Sequence, residues 1–299
     1  MPAISIRNLC KSYGGVRAVD DLSLDVERGE ILGLLGPNGA GKTTTIQCLC
    51  GLSTIGSGTI TVMGVDVALD PVEAKSRIGL SEQEPKADLY FPVERIVRYQ
   101  AGYHGIRDAD ALIEDNLRDF DLLSKRSATF RELSGGMKRK VSIIKALIHD
   151  PDVLILDEPT AGLDIESRYE LWGFIRALKE RGKTIILTTH YIEEAEQLAD
   201  RIAIIDQGRL LTVQKTSLML EELGRSRVIL FFESAPRVRG LDGLDVSVED
   251  SKLTITCPRK DQNEVLRRAL KAYPEALNFQ VEQDKLESIF RRLVSNRTA

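Results

Sequence analysis

The sequence predicts an α/β fold built on a parallel sheet, followed by a small α+β domain. Apolar runs at residues 31–35, 153–156 and 184–189 have the composition of strands that are buried on both faces, and helical patterns separate them. Residues 3–35 contain apolar positions at a period of two, which is typical of an antiparallel β region. From about residue 225 the pattern changes to short strands mixed with two helices, which favours a separate small domain.

Length, composition and charge exclude several classes of protein. The chain has 299 residues, of which 42% are apolar and 29% are charged, as in a globular protein of more than one domain. A net charge of −4 argues against a nucleic-acid partner. No apolar run approaches the ~20 residues that a membrane-spanning helix needs, and no signal peptide is expected. The cysteines show no metal-ligand spacing and are expected to be small buried residues in a reducing cytosol; they are Cys10, Cys48, Cys50 and Cys257.

The glycine-rich segment between the first buried strand and the next helix is the most informative motif. It reads G-P-N-G-A-G-K-T-T and matches the P-loop pattern G-x-x-x-x-G-K-[ST]. Its backbone N–H groups and the positive end of the helix dipole predict a site for nucleotide phosphates. Lys42 adds a point charge, and the Thr43 hydroxyl is placed to bind Mg²⁺. The predicted phosphate-binding residues are Gly36, Pro37, Asn38, Gly39, Ala40, Gly41, Lys42, Thr43 and Thr44.

Two carboxylates follow a buried strand directly, and a histidine follows the next one. In open α/β sheets, ligands bind at the carboxyl ends of the strands. Asp157 is therefore predicted to hold Mg²⁺, and Glu158 to polarise an attacking water. His190 ends a strand at the same edge of the sheet, which favours a contact with phosphate.

Two further features have more than one interpretation when they are considered alone. Ser134, Gly135 and Gly136 begin a second helix, which is either an ordinary N-cap or a second anion site. Tyr13 precedes a turn at Gly14, where an aromatic side chain is more often a packing residue than a stacking platform.

In this order, the motifs resemble the ATP-binding subunit of an ABC transporter from about residue 4 to residue 213. The resemblance implies that Glu158 is the general base and that Lys42, Gln83 and His190 assist it at the phosphates. Gln83 would also contact Mg²⁺ with Thr43 and Asp157. The remaining family motifs match the adenine-stacking Tyr13, the signature L-S-G-G-Q at Leu133–Met137 and the D-loop with Asp164. Met137 stands where the family usually has Gln, and Glu82 where Pro is common.

The resemblance also implies partners. Two such subunits, identical or different, pack head to tail and trap two ATP molecules. Each nucleotide then lies between the P-loop of one subunit and the Ser134–Gly136 helix start of the other. Gln83 links Mg²⁺ to a helical insert, which receives a coupling helix from a membrane-spanning permease. The protein would thus be cytoplasmic and peripheral on the inner face of the cell membrane.

On this basis, residues 1–222 are predicted to form an ATP-binding cassette. It is a P-loop NTPase with a RecA-like core, an antiparallel β subdomain and a helical insert at about 86–150. Residues 225–299 are predicted to form the accessory α+β domain. Its ending at 286–293, L-E-S-I-F-R-R-L, resembles the L-E-x-x-F-x-x-L ending of efflux-type subunits. The expected function is ATP hydrolysis that powers export of a drug, lipid or polysaccharide-like substrate.

Three alternatives remain open at this point. A soluble ABC ATPase that acts on ribosomes or DNA usually has two cassettes or a long coiled coil, and neither occurs in this sequence. An importer cassette is disfavoured only by the short C-terminal motif. A regulatory module that binds ATP without hydrolysing it is disfavoured by intact Lys42, Asp157, Glu158 and His190.

Overall fold

The computed structural model describes residues 1–295, and the chain divides into two compact units between Val213 and Gln214. This division precedes the predicted boundary at 222–225. Helix α8 (Thr216–Glu222) accounts for the difference, because it packs against elements of the second unit. Residues 296–299 of the predicted accessory domain lie outside the described residues. Within residues 1–295, no helix is both long enough and apolar enough to cross a membrane.

The first unit is built on a six-stranded sheet with the order β10-β9-β3-β8-β7-β6. Strand β3 pairs in parallel with β8 and β9, and β7 pairs in parallel with β6 and β8. The carboxyl ends of β3, β7 and β8 therefore meet at one edge of the sheet. The strands are β3 Ile31–Leu35, β6 Ile78–Ser81, β7 Val153–Asp157, β8 Thr184–Thr188, β9 Arg201–Asp206 and β10 Arg209–Lys215.

A second, antiparallel sheet with the order β2-β1-β4-β5 covers the P-loop helix. Its inward-facing side chains, such as Ile4, Leu22 and Ile60, share one apolar core with Ile46 and Leu49 of helix α1. The strands are β1 Ile4–Tyr13, β2 Val16–Val26, β4 Ser57–Val62 and β5 Val65–Asp66. The α/β fold class with an antiparallel β subdomain is thereby confirmed.

Helices surround the parallel sheet and form the insert between β6 and β7. In the insert, α3 packs against α4 and α5, and α5 also packs against β6 of the sheet. Helix α5, the last helix of the predicted insert, thus packs against both the insert and the core sheet. The helices are α1 Lys42–Leu49, α2 Pro71–Ser76, α3 Val93–Tyr103, α4 Asp110–Asp119, α5 Gly135–Leu147, α6 Ile165–Glu180 and α7 Ile192–Leu198.

The second unit has its own antiparallel sheet, with the order β12-β13-β11-β14. Alternate residues of β11 and β13, such as Val228, Leu230 and Ile255, are buried and pack with Val265 and Ala269 of helix α9. Its elements are β11 Arg225–Phe231, β12 Asp245–Glu249, β13 Lys252–Pro258, α9 Gln262–Ala272, β14 Asn278–Gln283 and α10 Leu286–Ser295.

A substitution at Gly79 of β6 tests how closely helix α5 packs against the sheet. A Cβ atom at Gly79 would lie 2.1 Å from the backbone oxygen of Ala146 in α5. We expect Gly79→Ala to cost about 1–3 kcal/mol of stability, since backbone must shift to relieve the overlap. The midpoint of thermal unfolding, followed by circular dichroism, measures this loss.

Gly173 in α6 is the matched control, because nothing lies within 4 Å of a Cβ built there. Gly173→Ala should be neutral or stabilising by about 0.5–1 kcal/mol, as expected for a glycine within a helix. Equal unfolding midpoints for the two variants would contradict the close packing of α5 on β6.

Candidate functional site

The P-loop joins the buried strand β3 to helix α1, which begins at Lys42. The loop passes so close to neighbouring backbone that side chains are excluded at two positions. A Cβ atom at Gly36 would lie 2.3 Å from the oxygen of Ile205, and one at Gly41 would lie 2.4 Å from the oxygen of Ala18. Gly41 also has a φ of +103°, in the region that favours glycine. The loop conformation thus depends on the glycines that define the motif.

Lys42 is almost completely buried, with 8% of its surface exposed. Its Nζ atom donates hydrogen bonds to the loop oxygens of Gly36 at 2.7 Å and Pro37 at 3.1 Å. Burial lowers the pKa of Lys42, and the nearby carboxylates of Glu158 and Asp157 oppose this effect. The loop therefore holds the ammonium group at its own centre, where phosphate oxygens would replace the two carbonyls as partners.

Asp157 is the last residue of β7, where it pairs with the last residue of β8, and Glu158 directly follows it. The Thr188 hydroxyl donates to Asp157 Oδ1, and the Glu158 N–H donates to the oxygen of Thr188 at 3.0 Å. Glu158 has a φ of +47°, which is unusual for a residue other than glycine. Such strain persists where surrounding contacts fix the backbone, and it is concentrated at functional sites.

Three predicted site residues meet at one carboxylate oxygen. Glu158 Oε2 accepts a hydrogen bond from Gln83 Nε2 at 2.9 Å and lies 3.2 Å from His190 Nδ1. Gln83 follows β6, Glu158 follows β7 and His190 follows β8. The parallel sheet thus brings together side chains that are far apart in the sequence.

These side chains and the P-loop line a single cleft. Thr43, Gln83 and Asp157, whose side chains contain oxygen atoms, all line this cleft and would be available to a cation. Oxygen donors of this kind fit Mg²⁺, which prefers hard ligands and retains several waters or phosphate oxygens. Within residues 1–295, no group of three or more His, Cys, Asp or Glu side chains could hold a metal by itself. The cleft is lined by Ala18, Asn38, Gly39, Ala40, Gly41, Lys42, Thr43, Thr44, Gln83, Asp157, Glu158 and His190.

The second helix start lies outside this cleft. Ser134 caps α5, and its Oγ atom accepts a hydrogen bond from the N–H of Met137 at 3.2 Å. Ser134 and Gly136 line a different cavity, together with Leu163 and Ser167, and none of its lining residues belongs to the P-loop cleft.

Asp164 lies next to that second cavity and caps α6. Its carboxylate accepts hydrogen bonds from the N–H and the hydroxyl of Ser167, both at 2.9 Å. These bonds lower the pKa of the Asp164 carboxyl. Gly136 is also close to Ser167, since a Cβ at Gly136 would lie 3.2 Å from the Ser167 hydroxyl. The starts of α5 and α6 thus form one polar surface.

Tyr13 is not among the residues that line the P-loop cleft. It ends β1, is 46% exposed, and has its hydroxyl 3.0 Å from Ser53 Oγ, with Lys11 Nζ 4.9 Å from the ring centre. Its role in stacking on adenine stays a prediction.

Sequence reasoning missed two residues that support the site. Thr188 holds Asp157, as described above, and Arg139 of α5 holds the segment that carries Gln83. Arg139 is 3% exposed and donates to the oxygens of Glu82 at 2.8 Å and Gln83 at 2.5 Å. Burial lowers its pKa. The i, i+4 spacing of Arg139 with the buried Ile143 was a signal that this arginine faces inward.

Comparison with known proteins extends over almost the whole chain. A family model described as ABC transporter matches residues 19–161. The chain is 39% identical over 294 residues to Nod factor export ATP-binding protein I of Burkholderia lata, covering 97% of this chain and 96% of that protein. It is 38% identical over 299 residues to the protein of the same name from Rhizobium johnstonii, with 97% and 94% covered.

A solved structure described as the ATP-binding subunit of an ABC transporter has the same fold over most of the chain. It aligns with a TM-score of 0.65 and 30% identity, covering 71% of this chain and 90% of that structure. The cleft, the motifs and these matches agree on one family. The chain belongs to the ABC transporter family, as an ATP-binding and ATP-hydrolysing subunit of the export type.

Proposed function

We propose that ATP is hydrolysed in the P-loop cleft with Glu158 as the residue that activates water. The observation that supports this role is the position of Glu158 Oε2 between Gln83 Nε2 and His190 Nδ1, beside the P-loop. A carboxylate that accepts a hydrogen bond from a water draws electron density towards the attacking oxygen. Gln83 and His190 hold this carboxylate in one orientation, so the water is positioned rather than free.

The remaining groups of the cleft bind and orient the nucleotide. The P-loop N–H groups and Lys42 contact the β- and γ-phosphates and stabilise the charge that develops on the γ-phosphate. Thr43, Asp157 and Gln83 would hold Mg²⁺, which neutralises phosphate charge when bound. We assign to His190 a contact with a γ-phosphate oxygen, since it lines the same cleft.

We further propose that a second cassette completes each site. The chain has two helix starts suited to anions, at Lys42 and at Gly135, but they border separate cavities. One nucleotide needs only one P-loop, so the surface formed by Ser134, Gly136 and Asp164 is available to the nucleotide of a neighbouring copy. Head-to-tail packing, in a homodimer or heterodimer, uses both surfaces.

We also propose a docking groove for the permease, between α3 of the insert and the core. Gln100 of α3 and His104, which follows that helix, line the groove with Leu80 of β6, Lys145 of α5 and Lys75 near the end of α2. The groove contains more basic than acidic groups, and its one acidic lining residue, Glu82, is paired with Lys86 at 3.1 Å. This charge favours an acidic segment of the permease, at the cytoplasmic face of the membrane.

The transported substrate is proposed by comparison alone. The names of the relatives refer to the export of Nod factor, and the C-terminal motif resembles that of efflux-type subunits. We propose a substrate of the drug, lipid or polysaccharide-like class. A non-transport role and an importer role are not favoured, since these relatives are export proteins and match this chain over 97% of its length.

Glu158→Gln tests the role of the water-activating carboxylate. The amide keeps the shape of the side chain but polarises water poorly, so we expect kcat for ATP hydrolysis to fall by about 10²–10⁴-fold. ATP binding should persist, because the P-loop is unchanged. Steady-state phosphate release and equilibrium nucleotide binding measure the two effects.

Glu180→Gln is the control for Glu158→Gln, because Glu180 is exposed at the last residue of α6, at the other end of that helix from Asp164. Its kcat should equal that of the wild type. A Glu158→Gln protein that released phosphate at the wild-type rate would show that another group activates the water.

Lys75→Glu tests the permease groove. We expect the substitution to reduce recovery of a polytopic membrane protein with the tagged chain from detergent extracts by about tenfold, because like charges then face each other. ATP hydrolysis by the isolated chain should not change. Lys125→Glu, at an exposed lysine of the insert outside the groove, should leave recovery intact. If both variants retained the membrane protein equally, the groove would not be its docking site.

A further inference from the structure

Helices α5 and α6, which begin at the surface around Ser134 and Asp164, each contain an arginine about one turn after their start. These are Arg139 in α5 and Arg168 in α6. Neither arginine lines the P-loop cleft or the second cavity. Each of them contacts the segment that carries one of the two partners of the Glu158 carboxylate. Neither has a part in the roles proposed for the cleft residues.

Arg139 holds the backbone on both sides of one peptide bond before the insert. Its guanidinium donates to the oxygen of Glu82 at 2.8 Å and to the oxygen of Gln83 at 2.5 Å. The rigid fork of a guanidinium can hold two adjacent carbonyls at once. Gln83 Nε2 in turn donates to Glu158 Oε2 at 2.9 Å. A continuous series of hydrogen bonds therefore leads from α5 to the Glu158 carboxylate.

Arg168 supports His190 through an aromatic ring. Its guanidinium carbon lies 4.4 Å from the centre of the Tyr191 ring, a distance at which a cation attracts the face of an aromatic ring. The centre of the Tyr191 ring lies 4.0 Å from that of the His190 ring. His190 Nδ1 lies 3.2 Å from Glu158 Oε2. This second series of contacts, which begins in α6, therefore ends at the same carboxylate oxygen as the first.

The two guanidinium groups are unfavourable for the fold in themselves. Arg139 is a charged side chain in a buried position, and among the described residues Arg168 Nε is buried without a hydrogen-bond partner. Buried charges and unsatisfied donors both reduce stability. Their presence is accounted for if they serve to fix the segments that they contact.

We infer that Arg139 and Arg168 are positioning residues for ATP hydrolysis. Arg139 acts through Gln83. Arg168 acts through the ring that is stacked on His190. Together they hold the Glu158 carboxylate in the orientation that activates water. The inference rests on the roles proposed for Glu158, Gln83 and His190.

The experiment begins with Arg139→Met and Arg168→Met in the full-length chain. Methionine has a similar length but no donors and no charge. We expect kcat for ATP hydrolysis to fall by about 10- to 100-fold in Arg139→Met, as for a small misplacement of reacting groups, and by about three- to tenfold in Arg168→Met. KM for ATP should stay within about twofold, since the P-loop is unchanged. Wild-type kcat in either variant would overturn the inference for that arginine.

Double-mutant cycles separate positioning from a general loss of structure. Gln83→Ala removes the amide through which Arg139 acts, so adding Arg139→Met to it should lower kcat by less than about twofold further. Arg168→Met should likewise have little further effect in a His190→Ala chain. If the separate losses multiplied in both double variants, each arginine would support the fold in general, and the inference would be wrong.

Substitutions of Tyr191 test the stacked series of contacts without changing a charge. Tyr191→Phe keeps a ring between Arg168 and His190, so kcat should stay within about twofold of the wild type. Tyr191→Leu removes that ring, and its kcat should match that of Arg168→Met. Equal kcat in the two Tyr191 variants would overturn the role of Arg168, and this comparison remains available if Arg139→Met does not fold.

Arg176→Met is the matched control, because Arg176 is an exposed arginine of α6 that also donates to a backbone oxygen, that of Gln197, at 3.2 Å. Its kcat and KM should equal those of the wild type. Glu158→Gln is measured alongside. If Glu158→Gln were fully active, the proposed function of Glu158 would fail; if it were inactive while the losses in the cycles multiplied, only the positioning inference would fail.

Discussion

The parallel register of β3, β7 and β8 is the constraint on which the rest of the first unit depends. Because β7 pairs with β8 so that Asp157 is opposite Thr188, the Thr188 hydroxyl reaches the Asp157 carboxylate. The same register places Glu158 within 3.2 Å of His190. A slip of one residue would turn alternate side chains to the other face and separate these groups. All five residues of β8 are buried, which makes such a slip costly.

The edge of the sheet is complete in one respect and incomplete in another. One cleft at this edge contains the phosphate-binding loop, the two carboxylates, the glutamine and the histidine. Two of these residues are unfavourable for folding, since Lys42 is a buried charged group and Glu158 has a positive φ. The second helix start, at Ser134, opens on another cavity. In the dimer that we propose, each copy supplies the surface that the other lacks.

Local features were predictable from the sequence, and long-range contacts were not. The P-loop needs only a strand, its glycines and the start of a helix, all within about twenty residues, so its pattern predicts its structure. The Asp157–Thr188 bond and the contacts of Arg139 with the Gln83 segment depend on tertiary packing, which periodicity does not encode. The two compact units meet between Val213 and Gln214, before the predicted boundary, because the packing of α8 assigns it to the second unit and its helical pattern does not.

The most direct test of the shared site is a mixing experiment with two inactive variants. Lys42→Ala disables the P-loop, and Ser134→Arg blocks the second helix start, so each purified variant should lack ATPase activity. In a mixed pair, the intact P-loop of one chain meets the intact Ser134 surface of the other. The account predicts that mixing restores a substantial part of wild-type phosphate release, with a dependence on total protein concentration. If the mixture stayed as inactive as its components, or if Ser134→Arg alone remained fully active, the site would not be shared.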